Sequence, residues 1–322
     1  MLSRRFAAAV GVALAGALVI SCSGSPYVPP TQPPPPPPEP PANNLPVIDS
    51  VTFQGTRPKE PVDFADVGEA VPVVAKVHDD ETPADQLDYQ WSATAGTFSG
   101  TGASVTWTAP ASAQTPADVT ITLKVVEKYG FPGQPPAFSH DVSTTKTISL
   151  HDSVGEVGGM ARQFLLDFSD SSITDVPYIM RNFDMTCSQA QDEAQQVADN
   201  RRNRRIVKSS IGTPTVTIPF GNGFCPINQD DPSRVQRGDA CTRTPSHWES
   251  TEFSNGDYVV ANGADWVSAY YKPALKLWKL CDSQFPGTCF NATKGLPCGA
   301  SLQSLVPDSH TRGAVRGPGP PR

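Results

Sequence analysis

The chain has 322 residues, a formal net charge of -7 and only 18% charged residues. Lacking a basic footprint, it is not a general nucleic-acid binder, and its length leaves room for two domains of ordinary size beyond a leader. Prolines and cysteines are distributed unevenly, and that unevenness divides the chain.

Residues 1–21 open with Arg4 and Arg5, followed by an apolar, Ala-rich run from Phe6 to Ile20. The run is shorter than the roughly 20 apolar residues of a membrane span, and small residues and a cysteine follow it, so it reads as a secretory signal peptide. Leu18-Val19-Ile20-Ser21-Cys22 resembles the lipobox of bacterial lipoproteins. The resemblance implies that Cys22 becomes the first mature residue and carries acyl chains such as palmitate on its thiol and amine. One chain binds a membrane only reversibly, whereas two or three anchor durably. Ser23 stands where family members retained at the inner membrane often carry aspartate, which implies the outer membrane. Residues 22–44 then form the anchor and a linker with unbroken proline from Pro33 to Pro38. Such a segment favours polyproline II at about 3.1 Å per residue, so twenty residues make a stalk of roughly 60 Å.

From 45 to 152 the period changes to two. Strands are expected at Pro46–Phe53, Ala70–Val77, Leu87–Ala93, Ala103–Trp107, Val119–Val125 and Thr144–Leu150, with Gly96, Gly100 and Gly102 marking turns. About seven short strands in this length predict an all-β sandwich. Leu87-Asp88-Tyr89-Gln90-Trp91-Ser92-Ala93, Ala95 to Gly100 and Val105 to Pro110 together resemble bacterial PKD and related Ig-like modules. That resemblance implies a core tryptophan at Trp91 and a noncatalytic spacer, adhesion or glycan-contacting role. Asp79, Asp80, Glu81, Asp85 and Asp88 bring several oxygen ligands close in sequence. They make calcium the one cofactor to look for, against the alternative of a solvated loop; no other cofactor or metal is indicated.

Residues 153–299 read as α+β. Helices are expected at Val157–Phe168, Val176–Phe183 and from a capping Ser188 to about Ile206, the last ending in Arg201, Arg202, Arg204 and Arg205. That arginine cluster reads either as a solvated helix end or as an anion or lipid-head-group patch. A strand at Thr215–Phe220 and an antiparallel meander from His247 to Cys281 follow, with Asn-Gly hairpin signals at Asn255-Gly256 and Asn262-Gly263. Cys187, Cys225, Cys241, Cys281, Cys289 and Cys298 are even in number and suit three disulfides in an oxidising compartment, with fifteen pairings open. Helices followed by a meander ending in Trp278-Lys279-Leu280-Cys281 weakly resemble the NTF2-like fold. By that resemblance His247, Asp265 and Tyr270 are the acid–base candidates for a cavity. Residues 300–322 are poor in apolar groups and read as a disordered tail.

The expectation is therefore a two-domain chain, an Ig-like sandwich followed by a disulfide-stapled α+β domain. It is lipid-anchored in the cell envelope and presents a noncatalytic binding surface to an envelope protein or glycan. The alternatives are an NTF2-like enzyme or small-ligand binder in the second half, and a structural spacer.

Overall fold

The computed structural model describes residues 38–220, 225–226, 235–236 and 238–298. The signal segment, Cys22, most of the proline-rich linker, the loop at Asn228–Pro232 and the 300–322 tail lie outside the described residues. From Pro41 onward the described chain forms one compact unit.

The first half supplies β1 (Val47–Phe53), β2 (Phe64–Asp66), β3 (Ala70–His78), β4 (Asp88–Ala93), β5 (Thr97–Ser99), β6 (Ser104–Thr108), β7 (Ala117–Tyr129) and β8 (Phe138–His151). They form two four-stranded sheets, in the orders β1-β3-β6-β5 and β2-β8-β7-β4. All pairings are antiparallel except β2 with β8. Alternation along each strand decides which face is buried. Val71, Val73, Val105 and Trp107 of one sheet meet Val119, Ile121, Ile148 and Leu150 of the other in a shared core.

The central tryptophan is Trp107 and not Trp91. Trp107 is 0% exposed, whereas Trp91 on the edge strand β4 is only half-buried. The Trp107 indole N–H donates to the Ala95 carbonyl at 3.0 Å. Gly96 beside it has φ +80°, and a Cβ there would lie 2.5 Å from the indole nitrogen. Only glycine suits both that backbone conformation and that approach.

Asp152 alone separates β8 from the second half. It caps α1 (Ser153–Ser169), its Oδ1 accepting the Gly155 N–H at 2.9 Å. There follow α2 (Val176–Ile179), α3 (Ser188–Asn203), β9 (Arg204–Ile211), β10 (Thr215–Thr217), the short pair β11 (Cys225–Pro226) and β12 (Val235–Gln236), β13 (Ala240–Glu252), β14 (Tyr258–Lys272), β15 (Leu277–Gln284), β16 (Thr288–Asn291) and β17 (Leu296–Pro297). Long β13 and β14 form the spine of a seven-stranded sheet. β9 and β10 lie along the far side of β13, β15 and β16 along that of β14, and α1 and α3 pack on this sheet.

Three local expectations are corrected. Ser188 does not cap α3; Cys187 occupies that position in extended conformation, held by its disulfide to Cys281. The helix stops at Asn203, so Arg204 and Arg205 begin a strand that pairs with Thr251 and Glu252. Nor is Asn262-Gly263 a hairpin. β14 runs straight through it, because Gly263 is needed for close packing: a Cβ there would sit 2.6 Å from the Gly287 Cα. The hairpin between β13 and β14 lies instead at the other signal, where Gly256 has φ +75°.

A second disulfide, Cys289–Cys298, staples β16 to the chain after β17, and Cys241 is also disulfide-bonded. The side chain of Cys225 lies outside the described residues.

The two halves share core. Phe64, on a sandwich strand, is 1% exposed and packs within the core of the second half. It stacks on His151 and meets Phe220, Tyr271 and Trp278 edge-on. Asp66, two residues on, accepts the backbone N–H of Ser153 at 2.9 Å and its hydroxyl at 2.6 Å. The Ser153 hydroxyl in turn accepts the Trp278 indole N–H at 3.1 Å. Phe64→Ala should cost about 3–5 kcal/mol. Chemical denaturation monitored separately by far-UV circular dichroism and tryptophan fluorescence should show both halves weakened in one shared transition.

Candidate functional site

The inner face of the large sheet carries polar groups at its centre. On β13 the alternation turns Thr244, Ser246, Trp248 and Ser250 inward. β14 places Asp265 opposite Thr244 and contributes Val259, Ala261 and Val267 to the same side. α3 covers this side with a buried stripe of Ala190, Glu193, Val197 and Asn200, the three- and four-residue spacing of one helix face. Two carboxyls, Asp265 at 0% and Glu193 at 2% exposure, are thus enclosed in a largely apolar core.

Burial sets their chemistry. Desolvation pushes the Asp265 carboxyl up to about 7, only partly offset by the nearby Ser246 hydroxyl and Trp248 indole N–H. Neither of these closes to a full hydrogen bond, and both Asp265 oxygens are left without a partner. Burial also pushes Glu193 well up, helped by the negative charges of Asp282 and Asp265. Among the described residues no lysine or arginine forms an ion pair with either group. The Thr244 and Ser250 hydroxyls likewise have no partner. Buried polar atoms are ordinarily satisfied, which sets this cluster apart from an ordinary core.

Of the three acid–base candidates, only Asp265 lies inside. His247 and Tyr270 point to the opposite face of the sheet: His247 is odd on β13, whose even positions turn inward and pair Thr244 with Asp265, and Tyr270 is even on β14, where Asp265 is odd. His247 bonds Asn262 at 2.6 Å and Glu249 at 2.8 Å. Those bonds raise the pKa of His247, while Lys208, Tyr258 and His247 together hold Glu249 down at about 2. Tyr270 lies beneath Lys272, whose Nζ is 5.8 Å from the ring centroid. These outer groups form a surface polar network and do not assemble with Asp265.

The acidic loop is organised by its own hydrogen bonds. Asp79 Oδ1 accepts the backbone N–H groups of Glu81 and Thr82, Glu81 binds Asn44, and Asp88 binds Gln90. Tyr89, beside Asp85, has its hydroxyl on the Ala84 carbonyl. Among the described residues no three histidine, cysteine or acidic side chains converge as a metal site would require.

The sequence places Glu193 early in α3, where an acid complements the helix dipole, and not among the site candidates. Its signal was there: within α3 it shares the stripe of Ala190 and Val197, so a carboxylate falls on the face turned to the core. Comparison with family models, curated proteins and solved structures finds no match to this chain.

A carboxyl whose folded pKa lies above its unfolded value near 3.8 keeps a proton that the unfolded chain has released. Its effect is therefore to lower stability as pH rises from about 4 to about 7, with no further change above. In Asp265→Asn this fall should be flatter, which denaturant melts across that range would measure.

Proposed function

We propose that this chain is an exported lipoprotein, anchored through Cys22 and held off the membrane by its proline-rich stalk, which carries a noncatalytic binding module. We place the binding site in the acidic interior of the second half. The observation that carries this reading is the buried, unpartnered Asp265 carboxyl among hydroxyls that also have no partner. Carboxyl oxygens, hydroxyls and an indole N–H without partners fit a small polar ligand that both donates and accepts hydrogen bonds, such as a polyol. Two facing four-stranded sheets support the Ig-like reading of residues 45–152. Two helices, α1 and α3, laid on long antiparallel strands support the NTF2-like reading of 153–299. The outer membrane remains the location we favour, on the strength of Ser23.

A second reading, acid–base catalysis in the same interior, draws on the pKa of Asp265 near 7, which suits proton transfer at neutral pH. It lacks His247, which faces the other way.

Mass spectrometry of the full-length protein, extracted from membranes in mild detergent, tests both parts of the proposal. Under denaturing conditions the mass should correspond to a chain beginning at Cys22 plus acyl chains. Under native conditions a further small molecule should be retained by the wild type and lost from Asp265→Asn. Equal native masses for the two proteins would refute the binding site. A chain without acyl mass would refute the anchor.

A further inference from the structure

The arginine-rich junction between α3 and β9 holds a second site. Arg201, Arg204 and Arg205 line a surface pocket of about 240 Å³ together with Ser172, Thr174 and Phe253. The three cations play different parts. Arg201 is committed to structure: its Nε donates to the Ile173 carbonyl at 2.8 Å, and its Nη2 to the Phe168 carbonyl at 2.7 Å, at the C-terminal end of α1. There it satisfies carbonyls that a helix end leaves open.

Arg204 is not so committed. Its side chain is only 11% exposed, and its ionic neighbour among the described residues is Glu252 at 3.7 Å. Its Nε and Nη1 have no hydrogen-bond partner. A guanidinium hidden from water with two donor nitrogens unused is costly, and it keeps a fixed positive charge beneath the pocket. Arg205 is exposed at the same pocket, which Ser172 and Thr174 also line; the Ser172 hydroxyl donates to Asp170 Oδ1 at 2.6 Å. The lining holds three positive charges and no carboxylate; Glu252 and Asp170 are the nearest acids, the first facing Arg204 and the second Arg201. Phe253, 60% exposed, gives the rim an apolar surface.

We propose that this pocket binds the phosphate group of a phosphate ester, with Arg205 as the contacting cation and Arg204 as the buried charge behind it. A tetrahedral dianion can take donors from Arg205 and the Thr174 hydroxyl while facing the charge of Arg204, and arginine is the side chain best matched to it. The apolar rim at Phe253 receives the organic part of the ester. Two sources share this chemistry, a soluble phosphate ester and a lipid head group. The site is independent of the Asp265 interior.

Calorimetric titration of the full-length, detergent-solubilised protein with inorganic phosphate tests the proposal. Saturable binding should appear at low salt, and both Arg204→Gln and Arg205→Gln should weaken it about tenfold or more. Arg202→Gln removes an equal charge from an exposed arginine paired with Asp199, and should leave binding unchanged. Should Arg204→Gln fail to fold, Arg205→Gln decides alone. Absence of saturable phosphate binding by the wild type, or equal weakening by Arg202→Gln, would overturn the site. Glycerol phosphate and a short-chain phosphatidic acid then identify the source. Tighter binding of the second marks a lipid head group, and equal binding marks a soluble ester.

Discussion

The structure turns on one phenylalanine that belongs to the sandwich by sequence and to the second half by packing. Phe64 sits on a three-residue strand whose parallel pairing with β8 fixes its depth and direction. Around it close His151, Phe220, Tyr271 and Trp278, from three separate stretches of chain. The Arg57 guanidinium lies 5.0 Å from the Phe220 ring and binds Asp66, which in turn holds Ser153. Aromatic packing and this relay of hydrogen bonds act on the same few residues. The relative placement of the two halves is therefore set by a shared core, and not by the tether of a flexible linker.

That rigid frame explains how two acidic groups can be held in an interior. Enclosing an unpaired carboxyl disfavours folding, and the chain offsets this by protonation and by strong packing around it. Val197, Val259, Val267 and Trp248 surround the polar centre, and the Cys187–Cys281 bridge, closing a span of 94 residues, fastens the mouth of α3 to β15. Linkage of this kind removes freedom mainly from the unfolded chain. Stability is thus gathered at the margins of the site, leaving its centre polar.

Strand alternation made most of the first half legible in sequence. The run at Val119–Val125 lies within β7, and Ala70–Val77 is nearly the whole of β3. What could not be read locally was what each tryptophan or glycine meets across the fold. Trp91 and Trp107 have the same alternating context, and their difference in burial comes from sheet order, since β4 is an edge strand and β6 is not. Asn262-Gly263 carries a turn signature, yet its glycine answers to Gly287, distant in sequence. Phe64 gave no periodic signal because three residues are too few to show one. In the site, Asp265 was legible as a candidate while its separation from His247 was a matter of strand parity. Arg204 changed meaning when the helix ended one residue before it.

The direct passage from β8 through Asp152 into α1 has a consequence for the order of events as the chain is made. A chain emerging from its N-terminus has the whole sandwich sequence, Phe64 included, by His151. The partners that cover that ring, Phe220, Tyr271 and Trp278, arrive 69 or more residues later. Until then the groups that cover the Phe64 ring have not been made, and uncovered apolar surface of this kind is what makes incomplete chains prone to aggregate.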